Sequence, residues 1–333
     1  RKGPLDLMEA LGEIEVNRIM EKFAAERSGF PAARSSFADY QDFKRHLLVD
    51  ERDGVIIITI RRPQAMNALN DDMTDEILDV LQENVDNPSV KGFVITGYGN
   101  TAFSAGADIG KFPEMLGNKN ASIQYAKDCA KVQVYMDQMD KPVVAAINGM
   151  ALGGGLEIAI RCHGMVATAN ARFQFPEVTL GILPGIGGCI VPYRKWAKGA
   201  NLFHEMICLG KPISADKALE IGMLNKISDD YAGLIDDAVE TVNRLQGNIQ
   251  RISGQPAEIA DIVIADPPMA GKQPLSREAV AIIVKTIKEG AVVDTLSGAL
   301  EVGYTGFGEI ACTKAAKEGI SAFLEKRKPE FTK

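Results

Sequence analysis

Apolar positions along the chain follow two rhythms. Residues 1–46 are charged, and Leu7, Leu11, Ile14, Ile19 and Phe23 are spaced so that one helical stripe could hold them all. The pattern then changes. Val55–Ile60 is an unbroken, β-branched run ended by Arg61-Arg62-Pro63, and Met73, Ile77, Leu81 and Val85 follow at helical spacing behind an expected Asp cap. The same order of strand, loop and helix recurs at Phe93–Thr96, at Val143–Ile147 behind Pro142, and at Met165–Thr168, with helical segments over 121–139 and 156–162. Strands alternating with helices predict an α/β layered core with mostly parallel strands. Beyond about residue 195 helices dominate, over Leu202–Leu209, Ala215–Ile221, Leu234–Leu245, Arg277–Glu289 and Thr313–Lys326. Between Gln246 and Lys272 a stretch rich in Gly, Pro and Gln predicts an extended loop or insertion with one short strand at Ile262–Ile264. The expected organisation is an N-terminal helical extension (1–46), a core (47–195) and a helical C-terminal region (196–333) with an insertion near 246–272.

Composition narrows the partners. The 333 residues are 46% hydrophobic and 24% charged, which excludes disorder as the main state. Thirty-seven Lys and Arg stand against 44 acidic residues, a formal charge of −7, and no basic arm is interleaved with aromatics, which argues against nucleic acid. No apolar run reaches the ~18 residues of a membrane-spanning helix. The five cysteines, Cys129, Cys162, Cys189, Cys208 and Cys312, form no C-x-x-C pair. They read as reduced core thiols of a cytoplasmic protein, with neither a disulfide frame nor a metal site. A start at Arg1, without methionine or a charged-then-apolar leader, suggests a portion of a longer polypeptide.

Three segments could carry chemistry. Asn148–Glu157 places Gly153-Gly154-Gly155 between an apolar strand and the helical Ile158–Cys162. Glycines there let backbone approach a ligand and leave N–H groups unpaired at the helix start, where they could stabilise an oxyanion. No Lys-Ser/Thr follows, so it is not a phosphate loop. Ala102–Ile109 is a second tight, small-residue turn after a strand. Phe175-Pro176-Glu177 sets a carboxylate beside apolar neighbours, where desolvation would raise its pKa and suit it to proton transfer. Glu157 also has a plain structural explanation, because the helix dipole favours a carboxylate in a first turn by ~0.3–1 kcal/mol.

In this order, these segments resemble the crotonase (enoyl-CoA hydratase/isomerase) superfamily. The resemblance runs from about Arg62 to the C-terminus and also takes in Met66-Asn67-Ala68-Leu69, Leu180–Gly188 and Glu318–Arg327. It implies an α/β fold, a crotonase-like spiral of ββα units with a helical C-terminal region. It further implies an acyl-CoA substrate whose thioester carbonyl sits between the N–H groups of Ala107 and Gly154, with Glu157 and Glu177 handling a water and a proton. Coenzyme A would be part of the substrate, and no other cofactor is implied. The Ala65 carbonyl and the backbone at Ala105, Asp108 and Ile109 fall where the family holds adenine. Lys111 is a candidate cation for the polyanionic coenzyme, although a solvated surface charge is the plainer reading, and Phe323 with Lys326 matches a C-terminal helix that completes a neighbouring subunit's nucleotide pocket. A homotrimer or hexamer is therefore expected.

The activity implied is hydration of a trans-2-enoyl-CoA to a 3-hydroxyacyl-CoA, as in fatty-acid β-oxidation. The alternatives are a double-bond isomerase, a ring-processing acyl-CoA hydratase or hydrolase, or a non-catalytic acyl-CoA-binding subunit. The chain departs from the family at Cys162-His163-Gly164, at Cys189–Arg194 and in the 246–272 insertion, which leaves acyl length and shape open. His163 reads as a structural substitute. Gly3–Met8 resembles the opening of a helix in 3-hydroxyacyl-CoA dehydrogenases, which suggests a dehydrogenase fused N-terminally; the alternative is an ordinary helical extension. No G-x-G-x-x-G follows a strand here, so this chain itself is expected to leave NAD unbound.

Overall fold

The computed structural model describes residues 4–26 and 46–331. Residues 1–45 and 46–333 are separate compact units, and the residues on either side of 195–196 lie within the second. In the first unit, helix α1 (Pro4–Glu26) is interrupted at Gly12, whose φ of 75° and ψ of 165° are not helical. The expected stripe is thus split: Leu7 and Leu11 precede the break, Ile14, Ile19 and Phe23 follow it, and all five are exposed.

The second unit is layered. A six-stranded sheet has β1 (Leu47–Arg52) antiparallel to β2 (Val55–Ile60), followed by parallel β3 (Gly92–Gly97), β5 (Val143–Ile147), β7 (Gly164–Thr168) and β10 (Lys226–Ser228). A second, four-stranded sheet is made of β4 (Ala102–Ser104), β6 (Met150–Leu152) and β8 (Arg172–Gln174) in parallel, closed by β9 (Ile213–Ser214) antiparallel to β8. Each of β3, β5 and β7 runs into a short strand of the second sheet, and helices follow. This repeat is the expected spiral of ββα units. The short strands escape a periodicity reading because three residues carry no period.

Strands β2, β3 and β5 are buried at every position. That is why they read as continuous apolar runs: both faces of a parallel sheet are covered. Val55, Ile57, Val94 and Val144 pack on one face against Leu234, Ala238 and Val242 of a later helix, while Ile56, Ile58, Phe93 and Ile95 point into the main core.

Helix α2 (Asp71–Asn84) is capped by Asn70, whose side chain accepts from Met73 N, and not by the expected Asp. The segment expected over 121–139 is two helices divided at Ala130, α3 (Lys119–Cys129) and a shorter one over Lys131–Met136. Helix α4 (Gly154–Arg161) follows β6, and α5 (Tyr231–Leu245) covers the sheet. The C-terminal third holds α6 (Arg277–Ala291), α7 (Leu296–Ile310) and α8 (Lys314–Leu324). Helix α7 was not expected, because Gly298, Gly303, Gly306 and Gly308 depress helical propensity. The packing explains at least two of them: a Cβ on Gly306 would stand 2.3 Å from Thr286 Oγ1 of α6, and one on Gly308 would stand 2.8 Å from Lys119 O of α3.

Ile262–Ile264 is not a strand. Residues 248–266 run without ladder partners, with Ile252, Ala257, Ile259, Ile262 and Ile264 half-buried against the core. Short pairing occurs instead between β11 (Met269–Ala270) and β12 (Gln273–Pro274). Cys162, Cys189 and Cys208 are buried free thiols as expected, but Cys129 is half-buried and Cys312 is exposed in the turn between α7 and α8. His163 Nδ1 accepts from Val143 N at 2.8 Å, a backbone tie between neighbouring strands. Among the described residues no helix is long and apolar enough to cross a membrane.

Candidate active site

Two backbone turns, one from each of two successive ββα units, meet. After β4, Leu69 N donates to Gly106 O at 2.8 Å and Asp108 N donates to Leu69 O at 2.7 Å. This parallel bridge passes over Ala107, whose own N–H has no acceptor among the described residues. After β6, Gly153 takes φ 47° and ψ −127°, and its N–H donates to Gln174 O at 3.0 Å. Gly154 then opens α4, so its N–H is one of the helix's unpaired donors. A Cβ on Gly154 would stand 3.4 Å from Ala107 N, so the two donors adjoin.

The carboxylates come from the same region. Glu157 lies in the first turn of α4 and is 3% exposed. Its Oε1 accepts from Ile186 N at 2.9 Å and Gly188 N at 2.7 Å, donors from the turn at 184–188. Glu177 opens the short 3-10 turn after β8 and is 8% exposed. Its Oε1 would lie 2.6 Å from a Cβ on Gly153, and its Oε2 is buried without a partner among the described residues. Only a residue without a side chain can hold both this backbone and this approach at 153.

Burial raises the pKa of Glu157, opposed by the N–H groups of Gly188, Ile186 and Gly187 and by the Arg161 charge. Burial also raises that of Glu177 well above the ordinary carboxylate range, and the Glu157 charge raises it further. Glu157 has several N–H donors and a nearby cation, whereas Glu177 has its own backbone N–H set against burial and the Glu157 charge, so Glu157 is the better carboxylate and Glu177 the better acid.

Both glutamates and both turns line one cavity of about 90 Å³. Of the residues expected from sequence, Glu157, Glu177, Ala107, Gly154, Ala105 and Ile109 line it; Ala65, Asp108, Lys111, Phe323 and Lys326 do not. The Ala65 carbonyl accepts from Ala68 N at 3.0 Å, keeping one lone pair. Asp108 accepts from Arg62 Nη2 at 3.0 Å, and exposed Lys111 pairs with Asp71. Phe323 is exposed at the end of α8, and Lys326 lies two residues beyond that helix with a φ of 55°. Sequence reading missed the cavity's far wall. Phe112 packs edge-on against Tyr125 at 5.7 Å and Phe307 at 6.0 Å between ring centroids, and Cys129 lies beside them. Tyr125 and Cys129 lie one turn apart on α3, whereas Phe112 and Phe307 come from other segments, so no single stretch of sequence records the wall.

The fold and these groups define a ββα-spiral protein with adjoining free N–H donors and a buried carboxylate pair. The chain belongs to the enoyl-CoA hydratase/isomerase family, whose pattern matches residues 50–264. A short-chain-enoyl-CoA hydratase of Clostridium acetobutylicum is 35% identical over 285 residues, covering 86% of this chain and 97% of the relative. A crotonyl-CoA hydratase of Syntrophomonas wolfei is 33% identical, covering 86% and 97%. Among solved structures, an enoyl-CoA hydratase from Bacillus anthracis aligns with a TM-score of 0.55 and 27% identity, over 86% of this chain and 99% of that one.

Proposed function

We propose that the protein adds water across the double bond of a trans-2-enoyl-CoA, giving a 3-hydroxyacyl-CoA. The observation that carries this reading is the convergence of two acceptor-free N–H groups and two buried glutamates on one cavity. The thioester carbonyl oxygen lies between Ala107 N–H and Gly154 N–H. These donors stabilise the charge that develops on the oxygen as the thioester becomes enolate-like. Glu157, as the carboxylate, takes a proton from water while the water oxygen bonds to C3. Glu177, as the neutral acid, gives its proton to C2. Fixed dipoles aimed at the carbonyl oxygen need no reorganisation during the step, which is where the acceleration arises.

The adenine end of coenzyme A rests on the main chain at Ala65, Ala105, Asp108 and Ile109, with Lys111 and a neighbouring subunit's Phe323 and Lys326 supplying further contacts. The working form is a cytoplasmic trimer or hexamer that needs no cofactor beyond the coenzyme A of its substrate. The acyl group is short. An apolar cavity of ~150 Å³ accepts benzene, whereas this one has about 90 Å³, and the relatives named above act on short-chain and crotonyl thioesters.

Incubation with short, medium and cyclic enoyl-CoAs, followed by mass spectrometry, tests the reading. Gain of one water on the short substrate is expected. Unchanged mass with a moved double bond would make the protein an isomerase, and no reaction with any of them would leave it a binder. Glu157→Gln and Glu177→Gln should each lower hydration at least ~10²-fold while thioester affinity stays within a few-fold.

A further inference from the structure

Arg161 ends α4, one helical turn beyond Glu157 and on the same face. Its side chain is fully buried, an unusual place for a guanidinium unless it is paired. Asp137, just after the helix over Lys131–Met136, grips it with both oxygens: Nε donates to Oδ1 at 3.0 Å, and Nη2 donates to Oδ2. This fork leaves Nη1 aimed at the turn that holds Glu157. Nη1 lies 3.4 Å from Ile186 O, and a Cβ on Gly187 would stand 3.3 Å from it. Ile186 O belongs to the same peptide group as Gly187 N–H, which faces Glu157 from the opposite side. In a trans peptide the C=O and N–H point in opposite directions. That peptide therefore has a cation at its oxygen and a carboxylate at its hydrogen, flanked by the direct donors Ile186 N and Gly188 N.

We propose that Arg161, locked by Asp137, is a positioning residue for hydration: it holds the 186–188 turn so that its N–H groups keep Glu157 oriented and charged as the base. This rests on the reading of Glu157 given above. Arg161 touches no reacting atom. It acts through the turn and through its charge, and the apolar surroundings keep both effects strong. The other titratable and charged groups around this cluster include Glu177, Cys129, Cys189 and Tyr304, toward Glu157, Lys195, near Arg161, and Arg251, whose Nη1 donates to Asp137 O at 2.6 Å. Among the described residues none of these is a second cation beside Glu157, whose charged form is helped by Arg161 and backbone N–H groups.

The test compares Arg161→Met, Arg161→Lys and Asp137→Asn with the parent protein on the short enoyl-CoA, each as a full pH profile, with Glu157→Gln alongside. In Arg161→Met, kcat at neutral pH should fall about tenfold or more with KM within a few-fold, and the acidic limb should move up by about one pH unit, the effect of removing an opposite charge. Arg161→Lys should recover part of both changes, and Asp137→Asn, which unlocks the guanidinium but removes an anion, should lower kcat without the upward move of the limb. If Arg161→Met does not fold, the Lys and Asn variants carry the test by the same two readouts. A folded variant with unchanged kcat and an unmoved acidic limb overturns the proposal while Glu157→Gln remains inactive. An active Glu157→Gln overturns both the proposal and the catalytic reading beneath it.

Discussion

Two buried carboxyl groups in one cavity cannot both ionise cheaply. Glu157 has two direct N–H donors on one oxygen, and Glu177 has an unpartnered oxygen and a carboxylate neighbour. Hydration requires the first charged and the second neutral, so activity should fall as pH drops through the raised pKa of Glu157. An acidic limb in the pH dependence of kcat that lies above the ordinary carboxylate range is the expected result. Stability carries the same signature with its own sign. Both native pKa values are raised, so the pair's contribution is present below the unfolded carboxylate range and is lost as pH rises through the native values. Glu177→Gln removes the more frustrated group. This variant should melt above the parent at pH 8, with the gap closing toward pH 5, although its hydration is lost. Thermal melts across that range check the prediction, and a gap that grows on acidification would contradict it. The glutamates were legible in sequence because each sits in a recognisable motif. Their division of labour was not, since it depends on the donors at 186–188.

At the scale of elements, the turn from β6 into α4 does three things at once: it exposes Gly154 N–H, starts the helix that carries Glu157, and lets Glu177 approach at 153. Gly153→Ala would put a Cβ 2.6 Å from Glu177 Oε1 and would hold alanine at φ 47°. A cost of about 1–3 kcal/mol from backbone strain is expected, with hydration reduced by at least ~10² as the carboxylate is displaced. Unfolding in denaturant and initial rates measure the two effects. An acyl group lying against the aromatic wall would be limited in length by it. Tyr125→Ala removes an edge-on partner of Phe112 and should raise kcat/KM for an eight-carbon enoyl-CoA by at least ~10-fold relative to the four-carbon one, because each methylene accommodated in an apolar pocket is worth ~1–3 kcal/mol. An unchanged ratio would locate the limit elsewhere. The long strands were read correctly because apolar runs buried on both faces leave a clear trace. The strands at 102–104, 150–152 and 172–174, and the glycine-bearing α7, were missed because their partners, not their own periodicity, stabilise them.

Across the second unit, one side chain ties part of the 246–272 segment to the rest of the fold. Arg194 Nη1 donates to Ser253 O, Gly254 O and Gln255 O, at 3.2, 2.9 and 2.6 Å, and Nη2 donates to Gly290 O and Val293 O, at 3.0 and 2.6 Å. A planar fork can join a loop to the end of α6 in this way, and an ammonium cannot copy it. Arg194→Met removes the donor from these five carbonyls, of which that of Gly290 is buried, so a loss of roughly 2 kcal/mol is expected. Faster proteolysis or hydrogen exchange confined to 246–272 would identify the released part. Assembly belongs to the same scale. Sedimentation at micromolar concentration should give a trimer or hexamer, and truncation before Glu318 should weaken both assembly and coenzyme binding. A sharp monomer would contradict this.

Local order along the chain was sufficient to determine the alternation of strands and helices, the two small-residue turns, the pair of glutamates and the family they resemble, because each is written in neighbouring residues. Tertiary structure alone decided the rest. It set Ala107 N beside Gly154 N, aimed the 186–188 donors at Glu157 and backed them with Arg161. It also closed the cavity with Phe112, Tyr125 and Phe307. The physical reason is common to all of these. A hydrogen-bond direction, a desolvated charge and a cavity wall depend on distances between segments far apart in sequence, and no local periodicity records those distances.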